Sequence, residues 1–254
     1  MQQLQAARAL LQAVRGWPGA LCVLTGAGMS AESGIPTFRD ALTGLWARFD
    51  PAELASEEGF RAQPQRVWDW YAERREGVHR AEPNAGHHAL ASHARRWPGS
   101  VVLVTQNVDD LHQRAGNADA IRLHGDILAD RWLPACPRRT ACATSEARPG
   151  RPPHCADCGN LLRPGVVWFG EELPPAALAA ARRAADACAV MLVVGTSGAV
   201  WPAAGLVGQA RQRGAKVIIV NPAPSEIDDE AHIVLRGTAA QSLPLLLDEA
   251  VPGI

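Results

Sequence analysis

The sequence predicts an α/β chain built on a doubly wound, mostly parallel sheet with a smaller inserted module. Three observations carry that expectation. Apolar runs of strand length recur along the chain, helix-patterned segments separate most of them, and glycines or polar residues cluster where the runs end. At 254 residues the chain is long enough to bury a proper core.

Leu4, Ala7, Leu11 and Val14 recur on one helical face, so the chain is expected to open on a helix. Arg8 and Arg15 interrupt any apolar core long enough for a secretory signal. Ala20 to Thr25 reads as the first strand, and residues 42–80 carry helix-like patterning without a strand. A helix is expected over Pro83 to Arg96, a strand over Val101 to Thr105, a helix over Val108 to Arg114 and a short strand over Ala120 to Leu123. Residues 129–163 are rich in Pro, Arg and Cys, with almost no apolar periodicity. Beyond them come a helix over Pro174 to Ala187, a strand over Ala189 to Val194 and a helix from Pro202 to Gly214. Strands over Lys216 to Val220 and His232 to Leu235, then a helix over Ala239 to Ala250, close the chain. The expected sheet domain is therefore 1–41, 81–128 and 164–254, with 42–80 and 129–163 forming the smaller module.

No charged residue occurs between Asp186 and Arg211, a length that could cross a bilayer. Gly195-Thr196-Ser197-Gly198 and Trp201-Pro202 cut that stretch, so a buried strand, a ligand-type loop and a helix are expected instead. A net charge of -1 supplies no basic field for nucleic acid or an anionic membrane surface, and neither is expected as a partner. A cytoplasmic monomer is the expected state.

Gly26-Ala27-Gly28-Met29-Ser30-Ala31 follows the first strand as a G-x-G-x-x-A turn, the way a backbone approaches a dinucleotide pyrophosphate in a Rossmann-like sheet. The same glycines could also make a tight strand-to-helix turn with no ligand. A hydride-transferring dehydrogenase would further need a second strand ending in an acid about twenty residues on. Asp50 lies at that distance but follows no strand-like run. Gly195-Thr196-Ser197 and Asn221-Pro222-Ala223 place small and hydrogen-bonding groups after two other strands, where open sheets bind ligands. Ser197 lacks the G-x-S-x-G spacing of a hydrolase nucleophile.

Gln106, Asn107 and Asp109 follow the strand Val101 to Thr105 and are placed to emerge into a crevice, although Asp109 or Asp110 could simply cap the next helix. His124 ends a strand and precedes Gly125, which leaves its ring unobstructed; imidazole has the unperturbed pKa suited to proton transfer near neutrality. His87, His88, His93 and His112 are expected on helix surfaces. Cys22 and Cys188 sit in apolar runs as core thiols, whereas Cys136, Cys142, Cys155 and Cys158 cluster. Cys155 and Cys158 have the two-residue spacing of a tetrahedral zinc knuckle, while five residues separate Cys136 from Cys142, more than a regular knuckle has.

The stretch from Gly26 to Asp40, Gln106-Asn107-Val108-Asp109 and His124-Gly125, in that order, resemble the sirtuin family of NAD-dependent protein-lysine deacylases, over Gly16 to Pro244. That resemblance implies an enzyme that takes NAD as co-substrate and acyl-lysine proteins or peptides as partners, releasing nicotinamide, O-acyl-ADP-ribose and free lysine. It makes His124 the general base and puts Asn107 and Gln106 at the reacting ribose and its water. Asp109 and the Val108 backbone become the nicotinamide partners. Gly26, Ala27, Gly28, Glu32, Phe38, Arg39, Gly195, Thr196, Ser197, Asn221, Pro222, Ala223 and Ala239 are the remaining cofactor positions. Val166, Val167, Trp168 and Phe169 match the segment that pairs with the substrate backbone and walls its lysine tunnel. The four clustered cysteines are implied to hold a structural zinc, although Arg131-Trp132 stands where the family usually places its first ligand after an arginine.

Tyr71 and Arg74 stand three residues apart on one helical face. By themselves they suit a surface helix with Arg74 solvated or paired with Asp69 or Glu73. The resemblance instead implies the acyl pocket of the bacterial subgroup that removes succinyl and malonyl groups, with acetyl accepted beside them. The loop Asp40 to Trp46 differs from that subgroup's Gly-rich version.

Overall fold

The computed structural model describes residues 1–36, 51–133 and 147–247. Its centre is a six-stranded sheet. Strands β1 (Leu21–Thr25), β2 (Val101–Thr105) and β3 (Ile121–Arg122) run outward in one direction. An antiparallel ladder then joins β4 (Gly125–Trp132) to β7 (Leu162–Val166), and a short hairpin pairs β5 (Ala147–Arg148) with β6 (His154–Cys155). The chain returns through β8 (Val190–Val194), β9 (Lys216–Val220) and β10 (Ile233–Leu235) on the other side of β1, giving the order β10-β9-β8-β1-β2-β3. Every pairing in this sheet is parallel. The direction of travel reverses between β1 and β8, so the crevice at their carboxyl ends is the switch point where such sheets bind ligands.

Alternate residues of β8 enter opposite cores. Val190, Leu192 and Val194 pack with α1 (Gln2–Ala13), the Ala85–Arg96 helix and the Ala239–Leu247 helix. Met191 and Val193 pack with the Pro175–Ala187 and Gly205–Gln212 helices. Helices on both faces explain why these strands read as continuous apolar runs. The expected helix at Pro202 begins at Gly205, after a turn, and the one expected at Val108 begins only at Leu111.

Residues 51–80 fold into α2 (Pro51–Leu54), α3 (Glu57–Ala62) and α4 (Pro64–Arg80). Phe60, Val67, Trp70 and Tyr71 from these helices form a third core with Ile127 and Leu133 of the β4 region and with Val166 and Trp168 at the end of β7. Arg75 of α4 reinforces that seam, donating to the carbonyls of Ile127 and Ala129 and pairing with Asp130. A polar and Cys-rich sequence thus conceals one strand of a ladder at each of its ends.

The expectation of surface histidines holds for His88 alone. His87, His93 and His112 are buried. The Ala85–Arg96 helix packs on the sheet core through Ala89 and Leu90 and also against the Ala239–Leu247 and Leu111–Ala115 helices, so it is covered on more than its apolar stripe. The His87 and His112 rings meet edge to face, 4.9 Å between centroids.

Candidate active site

The glycine turn after β1 is shaped by close approach to β8. Gly28 N–H donates to Gly195 O at 2.8 Å, and a side chain on Gly28 would fall 2.7 Å from the Gly195 Cα. Gly195 itself has φ +61°, where a side chain would be strained in addition to colliding with Gly28. Nearby, Gln106 Nε2 donates to Thr196 Oγ1 at 3.2 Å, and Asn221 Nδ2 donates to Thr196 O at 3.2 Å. The carboxyl ends of β1, β2, β8 and β9 are therefore tied into one polar rim around the switch point. Ala27, Ser197, Pro222 and Ala223 lie exposed along it. Glu32 caps the Ala239–Leu247 helix, accepting from Ala240 N–H at 2.7 Å, which places Ala239 and Glu32 side by side. Phe38 and Arg39 lie outside the described residues.

Beneath this rim Ser30 joins two buried groups of the loop after β2. Asn107 Nδ2 donates to Ser30 Oγ at 3.1 Å, and Ser30 is hydrogen-bonded to the Asp109 carboxylate. Asp109 also accepts from Leu111 N–H at 3.1 Å, which fixes the turn into the Leu111–Ala115 helix. Burial pushes its carboxyl above the ordinary range, against those two hydrogen bonds.

His124 follows β3, and its Nδ1 lies 2.9 Å from Gln106 O. A carbonyl only accepts, so Nδ1 carries the hydrogen and Nε2 keeps its lone pair. Burial pushes the imidazole below its ordinary pKa while the Gln106 carbonyl opposes the shift. The ring is thus held neutral and oriented, the state a general base requires. Gly125 makes this corner possible: a side chain there would meet Gly165 O at 2.2 Å.

Val166 and Trp168 are buried, while Phe169 is 54 % exposed. Val167 N–H donates to His124 O and Phe169 N–H to Ala55 O, both at 2.8 Å; Trp168 N–H donates to Glu171 Oε2 at 2.8 Å. These three amides are occupied within the chain, as is that of Glu171, which donates to Trp168 O at 3.1 Å. Arg163, fully buried, pairs with Glu171, donates to Val166 O at 2.7 Å and lies over the Trp168 ring. Burial acts to raise the Glu171 pKa, but Arg163, the Trp168 amide and Arg131 together bring it below the carboxylate range.

Tyr71 and Arg74 are brought together against this segment. Trp168 Nε1 donates to Tyr71 Oη at 3.1 Å, and burial pushes the Tyr71 phenol up to about 12. The Arg74 guanidinium lies 4.8 Å from the Trp70 ring centroid. Its Nε and Nη1 are buried and have no acceptor among the described residues. Asp69, one of the two partners expected for a surface Arg74, is instead paired with Arg151 at 2.7 Å.

Sequence reasoning passed over Ser30, Arg163, Glu171 and Asn84. Asn84 holds the glycine turn from outside, through Met29 O at 2.9 Å and Ser33 Oγ at 3.0 Å. A capping Asn before His87 was the available signal. For the buried Arg163–Glu171 pair there was none.

Comparison with known proteins gives a consistent result. Residues 26–202 match the Sir2 family model. An NAD-dependent protein deacylase of Ralstonia nicotianae is 57% identical over 225 residues, covering 89% of each chain. One of Methylococcus capsulatus is 52% identical over 239 residues, covering 89% of this chain and 91% of its own. A Sir2 homologue solved as an NAD complex superposes with a TM-score of 0.81 at 44% identity, covering 94% of this chain and 91% of that one.

Proposed function

Because the chain belongs to the Sir2 family and is an NAD-dependent protein deacylase, we propose that its acyl pocket is built for acidic acyl groups, succinyl and malonyl, with acetyl accepted beside them. The observation that carries this is Arg74. Two of its buried guanidinium nitrogens lack an acceptor among the described residues, Asp109 attracts the charge without bonding to those nitrogens, and burying a cation with its donors unpaired is costly. An acyl carboxylate would supply the acceptor, through charge-assisted bonds that acetyl cannot make. Tyr71 completes the pair. Its oxygen accepts from an indole that only donates, so its own proton remains for a ligand, and a phenol with a pKa of about 12 keeps that proton.

The crevice suits NAD: the turn Gly26 to Gly28 packs against the Gly195–Thr196 loop at the carboxyl ends of β1 and β8, where such sheets take a dinucleotide, with Thr196 and Asn221 read as the adenosine side. When bound, NAD supplies a ribose carbon activated by its nicotinamide leaving group. Asn107 and Gln106 position the ribose and water, and Asp109 with the Val108 backbone holds the carboxamide. Nε2 of His124 takes a ribose hydroxyl proton, oriented by Gln106 O. The apolar walls at Val166, Val167 and Trp168 exclude water from the lysine tunnel.

A structural zinc held by Cys136, Cys142, Cys155 and Cys158 belongs to the same reading. Cys136 and Cys142 lie outside the described residues. Cys155 and Cys158 share one tight turn, closed by Gly159 N–H to Cys155 O at 2.9 Å and Cys155 N–H to Asn160 O at 2.7 Å, which suits two ligands of one tetrahedral ion. Four thiolates leave no open position for chemistry, so such a zinc would only hold the fold. No described helix is long and apolar enough to cross a membrane.

The deciding experiment compares kcat/KM on succinyl-, malonyl- and acetyl-lysine peptides for the native protein and Arg74→Met. Selective loss on the acidic acyl groups is expected. Equal losses on all three would mean that Arg74 does not read the acyl carboxylate, and native kcat/KM values no higher on succinyl and malonyl than on acetyl would make it a deacetylase without dicarboxylate preference.

A further inference from the structure

Arg122 belongs to β3, two residues before His124, and its side chain turns back onto the loop after β2. Nη2 donates to Val108 O at 2.8 Å and to Asp109 O at 3.0 Å, while Nη1 pairs with Asp126 Oδ2 at 2.7 Å. Asp126 is fixed in turn by accepting from Leu128 N–H at 2.8 Å. Ile127 N–H adds a second donor to Val108 O at 3.0 Å. Together with Gln106 O, held by His124, three carbonyls of residues 106–109 are therefore drawn toward the β3–β4 corner.

A trans peptide points its N–H opposite to its C=O. With Val108 O and Asp109 O anchored on Arg122, the amides of Asp109 and Asp110 are turned away from that corner. The Asp109 N–H donates to no described residue. Its carboxylate accepts from Leu111 N–H at 3.1 Å, reaches Ser30 of the glycine turn and also feels the Arg122 charge. A carboxamide needs one donor for its oxygen and one acceptor for its nitrogen. Beside the Val108 backbone, Asp109 offers one of each, and only while the peptide plane is held.

We propose that Arg122 is the positioning residue of the nicotinamide subsite: by holding the Val108 and Asp109 carbonyls it presents the Asp109 amide and carboxylate to the nicotinamide carboxamide. The inference rests on the reading of Asp109 as a nicotinamide partner. Lysine would keep the charge but lose the planar fork that serves the two carbonyls and Asp126 together. Methionine would keep the bulk and lose every bond.

The experiment measures nicotinamide inhibition of deacylation, KM for NAD and the Kd of ADP-ribose, which lacks the nicotinamide, in native protein, Arg122→Met, Arg122→Lys and Asp109→Asn. Arg122→Met is expected to weaken nicotinamide inhibition about tenfold and to raise KM for NAD, with ADP-ribose binding held within about twofold. Arg122→Lys is expected to recover part of the loss, and it carries the comparison if Arg122→Met does not fold. Unchanged nicotinamide inhibition in Arg122→Met, with Asp109→Asn impaired, would overturn the role of Arg122. So would equal weakening of nicotinamide and ADP-ribose. Nicotinamide inhibition unaffected in Asp109→Asn would overturn the underlying reading of Asp109.

Discussion

The Trp168 indole donates its only hydrogen to the Tyr71 phenol, 97 positions apart in sequence, at 3.1 Å and inside a core that neither ring leaves. The bond dictates which way the phenol proton faces. Trp168→Phe keeps an aromatic wall but frees Tyr71 to rotate and to be satisfied elsewhere. A loss of about three- to tenfold in kcat/KM is expected on succinyl peptides, with acetyl peptides little changed. Parallel steady-state assays on the two peptides check it; equal losses would assign Trp168 to the tunnel wall alone.

His124→Ala is expected to lower the deacylation rate by about a hundredfold to ten-thousandfold, with NAD binding retained. In the native protein the base is the neutral imidazole, whose pKa burial depresses, so its proton-accepting form persists to lower pH than for a free histidine. The acid limb of kcat/KM assigned to this group should fall below pH 6.5. A rate that survives the substitution within a few-fold removes His124 from the chemistry.

The buried pair His87 and His112 should set an acid limit on stability. Burial, reinforced by a neighbouring histidine in each case, depresses them from 6.5 to about 4 and about 3 respectively. Between pH 6.5 and those values the unfolded chain binds protons that the folded chain refuses, so this contribution is complete above 6.5 and is lost as the pH falls. Each unit below 6.5 costs about 1.4 kcal/mol per histidine. Urea unfolding from pH 7.5 to 5 should show the slope, and His87→Gln should reduce it. A stability flat over that range would contradict the burial of both rings.

Metal analysis of purified protein should find about one zinc per chain, and Cys155→Ser or Cys158→Ser should release it and lower Tm, because metal binding here is folding energy. Protein free of zinc yet folded and active would exclude the metal.

Gly195→Ala should lose cofactor binding and stability together, since the added methyl would meet Gly28 C and Met29 N at 2.5 Å from a residue with φ +61°. ADP-ribose titration and thermal unfolding measure the two effects. Native-like values in both would mean that the β1–β8 crevice is looser than its backbone contacts indicate.

What the sequence determined by itself was whatever one element encodes alone. Apolar runs became parallel strands because a strand covered on both faces must be apolar throughout, and the glycine turn stood out because only a side-chain-free backbone fits against the Gly195–Thr196 loop. His124, Asn107 and Asp109 were legible because each stands where a strand ends, and strand ends of such a sheet meet at one crevice. Tertiary structure alone decided the pairings between elements. Nothing local distinguishes a solvated Arg74 from one stacked on Trp70 without an acceptor, a surface His87 from one packed on His112, or Arg122 on an exposed edge from Arg122 holding two carbonyls. A polar side chain's periodicity gives the face it occupies. What meets that face depends on how a second element, 14 positions away for Arg122 and Val108 or 97 for Trp168 and Tyr71, is docked by the apolar cores between them.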